Sequence, residues 1–224
     1  MNRERALSES IIAEPMLYTN NGSDACIVWF GGIREPFINP AFLKTYPNAV
    51  FDGLFLTDAR ADWYMAGFSG IAEDFASSVE WLRKFIADHR YRRIFLSGQS
   101  SGAYAALRVA RHIRPTAVIA FAPQTRNLVD NRGIMQPWVN VEDLGLLYSD
   151  WENDFPIYIH VSRSEDAHKE QFFWDDWNQI KPFLTIDNVT IIRHPFDYHA
   201  VGIHLYQKDI FYKTLLLTAL LYCD

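Results

Sequence analysis

Between Arg92 and Ala110 the chain reads RRIFLSGQSSGAYAALRVA. An apolar run of strand length meets a tight knot of Gly and Ser. A segment rich in small, helix-favouring residues follows without a spacer. A strand that turns directly into a helix is the βα half of a parallel unit, so this stretch restricts the chain to α/β architectures.

The neighbouring sequence repeats the pattern. SIIAEPMLYT and ACIVWFGG are strand candidates separated by the turn-rich NNGSD, which reads as a hairpin. FDGLFLTD (51–58) is a third strand, and Ile71, Phe75, Val79, Leu82 and Phe85 then recur at helical spacing. RRIFLSG, TAVIAFAP, FPIYIHVS and NVTIIRHP continue the strand series. KEQFFWDDWNQIKPFL reads as a helix ended by Pro182, and one closing helix is expected from Val201 to Tyr222. Strands that are continuous apolar runs belong to a sheet covered on both faces. The expected fold is therefore α/β: a mostly parallel central sheet with an antiparallel N-terminal edge and helices on both faces. One domain is expected over 1–224, with 124–154, the most weakly patterned segment, as a small cap.

Composition narrows the function. A net charge of −6 without a long Lys/Arg cluster argues against a nucleic-acid partner. Two cysteines, Cys26 and Cys223, exclude a disulfide framework and argue against a cysteine zinc site. No His/Asp pattern has metal-ligand spacing, so no metal is expected. MNRERALSES lacks a signal-peptide core, and TLLLTALLYC is too short to span a bilayer, which suits a cytoplasmic protein.

The knot Gly98-Gln99-Ser100-Ser101-Gly102 fits G-x-S-x-G at the end of a strand and the start of a helix. There a sharp turn pushes a serine side chain out at the sheet edge, above a helix N-terminus that favours negative charge. The spacing selects Ser100 as nucleophile, since it has Gly at both minus two and plus two. Ser101 would offer its backbone N–H to an oxyanion. Gly32, in VWFGGIREP, is the preferred second donor, because paired glycines at a strand end expose backbone N–H groups.

A serine needs a base, and the base an orienting acid. HVSRSEDAHKE after the sixth strand offers Asp166, with Glu165 as the alternative. RHPFDYHAVGIHLYQ after the seventh offers His199, ahead of His194 and His204. His160, within a strand, reads as a core histidine. Trp29, Phe30, Phe37, Trp63, Tyr64 and Phe68 cluster near the expected mouth and would line an apolar or sugar-stacking pocket, Trp29, Phe30, Trp63 and Tyr64 foremost.

With FGG after a strand, GQSSG at the elbow, Asp166 after a later strand and His199 before the last helix, the sequence resembles the α/β-hydrolase superfamily from roughly Ala25 onward. Phe30 stands where many members have His. The resemblance implies Ser100 as nucleophile, His199 as general base and acid, Asp166 as orienter, and Gly32 and Ser101 as oxyanion donors. It implies hydrolysis of a small-molecule ester or thioester through an acyl-enzyme, a reaction that requires no cofactor. The alternatives are an acyltransferase on the same triad, or a non-catalytic accessory protein on the same fold.

Overall fold

The computed structural model describes residues 15–33, 51–127, 141–150, 152, 154–162, 176–196, 199, 201–208 and 210–222. Seven strands form one sheet in the order β1-β3-β2-β4-β5-β6-β7. They are β1 (Met16–Thr19), β2 (Ala25–Ile33), β3 (Asp52–Asp58), β4 (Arg93–Gln99), β5 (Ala117–Phe121), β6 (Ile157–Ser162) and β7 (Val189–His194). All neighbours pair in parallel except β1, which runs antiparallel to β3. The antiparallel edge is as expected, but the hairpin is not. NNGSD does not fold β1 back on β2, because β3 inserts between them and pairs with both.

Alternation along the strands divides the core in two. Cys26, Val28 and Phe30 of β2 face one layer, and Ala25, Ile27 and Trp29 face the other. The first layer is closed by α1 (Phe75–His89), α2 (Ser101–Ile113), α3 (Leu144–Ser149) and the short α4 (Asp176–Ile180) with the 3-10 turn Lys181–Thr185 that follows it. The second is closed by α5 (Val201–Gln207) and α6 (Phe211–Leu220).

Local chemistry sets the helix bounds. The α1 helix begins at Phe75 because Asp74 caps it: the Asp74 carboxylate accepts the Ser77 N–H at 2.7 Å, and the Ser77 hydroxyl accepts the Asp74 N–H at 3.3 Å. The expected single closing helix is two. The Ile210 N–H bonds back to the Leu205 carbonyl, five residues earlier, which ends the first segment. The redirected chain buries Phe211 against Trp29 and Phe121, with ring centroids 5.4 and 4.9 Å away.

In the weakly patterned 124–154 segment, α3 is capped by Asp143 and packs through Tyr148, whose hydroxyl donates to the Leu107 carbonyl at 2.8 Å. Residues 128–140 lie outside the described residues. No helix among the described residues is long and apolar enough to cross a membrane.

Candidate active site

Strand order reverses between β2 and β4: from β2 the chain runs outward to β3, then crosses to β4 on the other side. In open α/β sheets the crevice at such a reversal, beyond the C-terminal strand ends, is where ligands bind. Ser100 sits there, immediately after β4. Its backbone has φ 55° and ψ −119°, a strained conformation for a non-glycine residue. The turn is held by the Ser100 N–H, which donates to the Phe121 carbonyl at 2.9 Å, and by the Ser100 carbonyl, which accepts the Tyr104 N–H at 3.1 Å.

The two glycines of the knot are sterically required. A Cβ on Gly102 would lie 2.0 Å from the Phe30 carbonyl oxygen, and one on Gly98 would lie 2.5 Å from the Gly102 carbonyl carbon. The end of β2, the end of β4 and the first turn of α2 therefore touch backbone to backbone. Gly102→Ala is expected to destabilise the fold by several kcal/mol, as overpacking against immovable backbone does; a lowered urea midpoint checks this, and an unchanged midpoint refutes the close approach.

The adjacent serines differ in surroundings. Ser100 is half-buried, whereas Ser101 is fully buried and its hydroxyl has no hydrogen-bond partner. Ser101 is the first residue of α2, so its N–H lies at the helix's N-terminal end. Gly32 lies where the β2–β3 register shifts between Phe30 and Ile33. Such a bulge re-aims the backbone near a strand end. Beside it, the Tyr64 hydroxyl contacts the Gly31 and Leu56 carbonyl oxygens, each at 3.0 Å, which ties the glycine pair to β3.

His199 faces Ser100, with its Nε2 3.2 Å from Oγ. Its Nδ1 meets Oδ1 of Asp176, a carboxylate only 3% exposed at the start of α4. Asp166, expected from the sequence to orient this histidine, lies with Glu165 outside the described residues; the carboxylate seated on the imidazole is Asp176. Sequence reasoning missed Asp176 because WDDWNQ read as the interior of a longer helix. An acidic pair ahead of Trp177 is also a helix-start signal, since aspartate is favoured in a first turn.

The competing histidines have other neighbours. His194 Nε2 lies 3.0 Å from His160 Nδ1, and the His204 ring lies tilted against Phe196 with centroids 4.0 Å apart. His160 is a core histidine, 1% exposed and stacked on Phe121. Burial, reinforced by nearby His194, pushes its pKa down to about 3. An unfolded histidine titrates near 6.5. The fold thus holds His160 neutral, and the stability this contributes is present above pH ~6.5 and is lost as pH falls toward the folded value. Asp58, raised to about 6 mainly by burial, has the opposite sign, contributing most at low pH. Urea unfolding at pH 7 and pH 5 is expected to show a smaller acid loss in His160→Gln than in the intact chain; equal losses would refute this. The Asp58 contribution is common to both proteins and cancels in the comparison.

The aromatic residues expected at the mouth are core residues. Trp29 packs in the second layer, Phe30 stacks edge-on with Tyr64 and Phe68 at 5.5 and 5.7 Å, and Trp63 meets Tyr104 at 5.6 Å. All five of Trp29, Phe30, Trp63, Tyr64 and Phe68 are at most 2% exposed. Apolar strand and loop residues beside a sheet edge are drawn into the layers by burial, and spacing alone does not separate that fate from a pocket lining. Phe37 lies outside the described residues.

No protein-family model and no curated protein matches the chain in sequence. Solved structures do match in shape. A monoacylglycerol lipase of Paleococcus ferrophilus superposes with TM-score 0.61 at 13% identity, over 92% of this chain and 98% of that one. The capsule O-acetyltransferase of Neisseria meningitidis serogroup A gives 0.58 at 15%, over 88% and 90%. A type II thioesterase from the yersiniabactin biosynthetic pathway gives 0.57 at 13%, over 94% and 100%. With its mostly parallel seven-stranded sheet, antiparallel first strand and flanking helices, the chain has the α/β-hydrolase fold.

Proposed function

We propose that this protein is a serine hydrolase that cleaves a carboxylic ester or thioester through an acyl-enzyme, with Ser100, His199 and Asp176 as its triad. The observation that carries the reading is the continuous line from the strained Ser100 through His199 to the buried Asp176. The Ser–His separation of 3.2 Å is within reach for proton transfer.

Ser100 Oγ attacks the carbonyl carbon as His199 Nε2 takes its proton, and Asp176 stabilises the imidazolium that forms. The Ser101 and Gly32 N–H groups receive the oxyanion, assisted by the α2 N-terminus; one such donor contributes about 3–4 kcal/mol where this has been measured. His199 then returns the proton to the departing oxygen or sulfur. Water, deprotonated by the same nitrogen, attacks the acyl-enzyme and releases the acid. In the acyltransferase reading an acceptor hydroxyl or amine replaces that water.

The test is reaction of the intact protein with a fluorophosphonate probe, followed by p-nitrophenyl acetate turnover with and without added alcohol acceptors. Labelling of one serine per chain and release of acetate are expected. Product appearing only when an acceptor is supplied would assign a transferase, and a protein that neither labels nor turns over would leave a binding or accessory role.

A further inference from the structure

Asp176 opens a helix of five residues, too short to be stable alone. What fixes its position must be tertiary, and one buried amide stands out. Gln179, one turn along α4, is fully buried. Its Oε1 accepts the N–H groups of Thr125 and Arg126 at 2.7 and 3.1 Å, and its Nε2 donates to the Arg126 carbonyl at 3.1 Å. The Thr125 hydroxyl donates to the Gln179 carbonyl at 2.5 Å, and Arg126 Nη2 donates to the Asn178 carbonyl at 2.9 Å.

The segment that receives this amide is itself tied to the nucleophile. It follows β5, and the Gln124 N–H reaches the Ser100 carbonyl at 3.4 Å. A buried route thus runs from Ser100 through Gln124, Thr125 and Gln179 to Asp176, and the triad hydrogen bonds return it through His199 to Ser100. Only an amide of this length both accepts two N–H groups and donates to a carbonyl. Glutamate keeps the acceptor but loses the donor and buries a charge, and methionine leaves the backbone groups unpaired.

We infer that Gln179 is a positioning residue, which docks the acid-bearing helix onto the segment after β5 and thereby sets Asp176 against His199. The inference rests on the Ser100–His199–Asp176 reading above. A displacement of about 1 Å at a reacting group can cost on the order of 10²-fold in rate. The Gln179 side chain bonds to the backbone of Thr125 and Arg126, so it acts through the groups this dock places, Asp176 and, by way of Gln124, the Ser100 turn; the Asp176→Asn background separates the two.

The test is a double-mutant cycle on the full chain, read as kcat and KM for p-nitrophenyl acetate and as fluorophosphonate labelling rate, normalised to folded protein. Gln179→Met is expected to lower kcat and labelling by about 10- to 100-fold with KM nearly unchanged. In an Asp176→Asn background the same substitution should add almost nothing, since two residues acting as a unit are non-additive. Thr125→Val, which removes one bond of the same dock, should act in the same direction more weakly, and it serves if Gln179→Met does not fold. Losses that multiply in the double variant, or unaltered kcat in Gln179→Met, overturn the inference. Full activity in Asp176→Asn alone overturns the triad reading first, and the role of Gln179 falls with it.

Discussion

Ser100→Ala is expected to abolish fluorophosphonate labelling and to lower kcat toward p-nitrophenyl acetate by about 10⁶-fold, the scale seen when a triad nucleophile is removed. The physical reason lies in the turn. The φ of 55° at Ser100 is tolerated because the Ser100 N–H is fixed on the β5 carbonyl and its C=O starts α2. Alanine fits the same backbone, so the fold and urea midpoint should be preserved while the Oγ that faces His199 is lost. Ser101 cannot substitute, since its side chain is fully buried. Residual labelling of the alanine variant at the same rate would place the reactive group elsewhere and end the serine hydrolase reading.

Asp176→Asn carries the second largest expected effect, about 10⁴-fold in kcat, because an amide facing Nδ1 stabilises the wrong imidazole tautomer and gives no charge to the imidazolium. Asp166→Asn, at the carboxylate the sequence favoured, is expected to change kcat little. The pair is decisive when measured side by side. A large loss in Asp166→Asn with none in Asp176→Asn would restore the sequence-based assignment and dissolve the geometric one. Circular dichroism on both variants confirms that the comparison is between folded proteins.

The parts of the site legible in the sequence were those tied to local backbone chemistry. The elbow was readable because a strand-to-helix reversal needs glycine at 98 and 102, where β2, β4 and α2 approach within backbone contact. His199 was readable because its place, between β7 and the closing helices, follows from element order. The carboxylate beside His199 was not, because WDDWNQ also reads as the interior of a longer helix, and its acidic pair signals a helix start without signalling a partner. Asp176 stands beyond residues 163–175 on a helix hydrogen-bonded through Gln179 to Thr125 and Arg126, and this pairing joins residues far apart in the chain. The hairpin between β1 and β2 failed for a related reason. A turn-rich segment between two strands permits pairing, but the partner was decided by β3, whose residues Gly53 to Leu56 pair with both.

The α/β class, the parallel strands and the sharp Gly-Ser turn after β4, with Ser100 and not Ser101 at its apex, are written locally in the chain. Apolar runs, glycine spacing and turn residues act over a few positions, and their physics is local. The strand order, the burial of Trp29, Phe30, Trp63 and Tyr64 in the core, and the carboxylate that meets His199 are set by long-range packing. Those outcomes depend on which distant surfaces bury one another and which distant polar groups satisfy one another. A short helix such as Asp176–Ile180 takes its place from such contacts and not from its own residues.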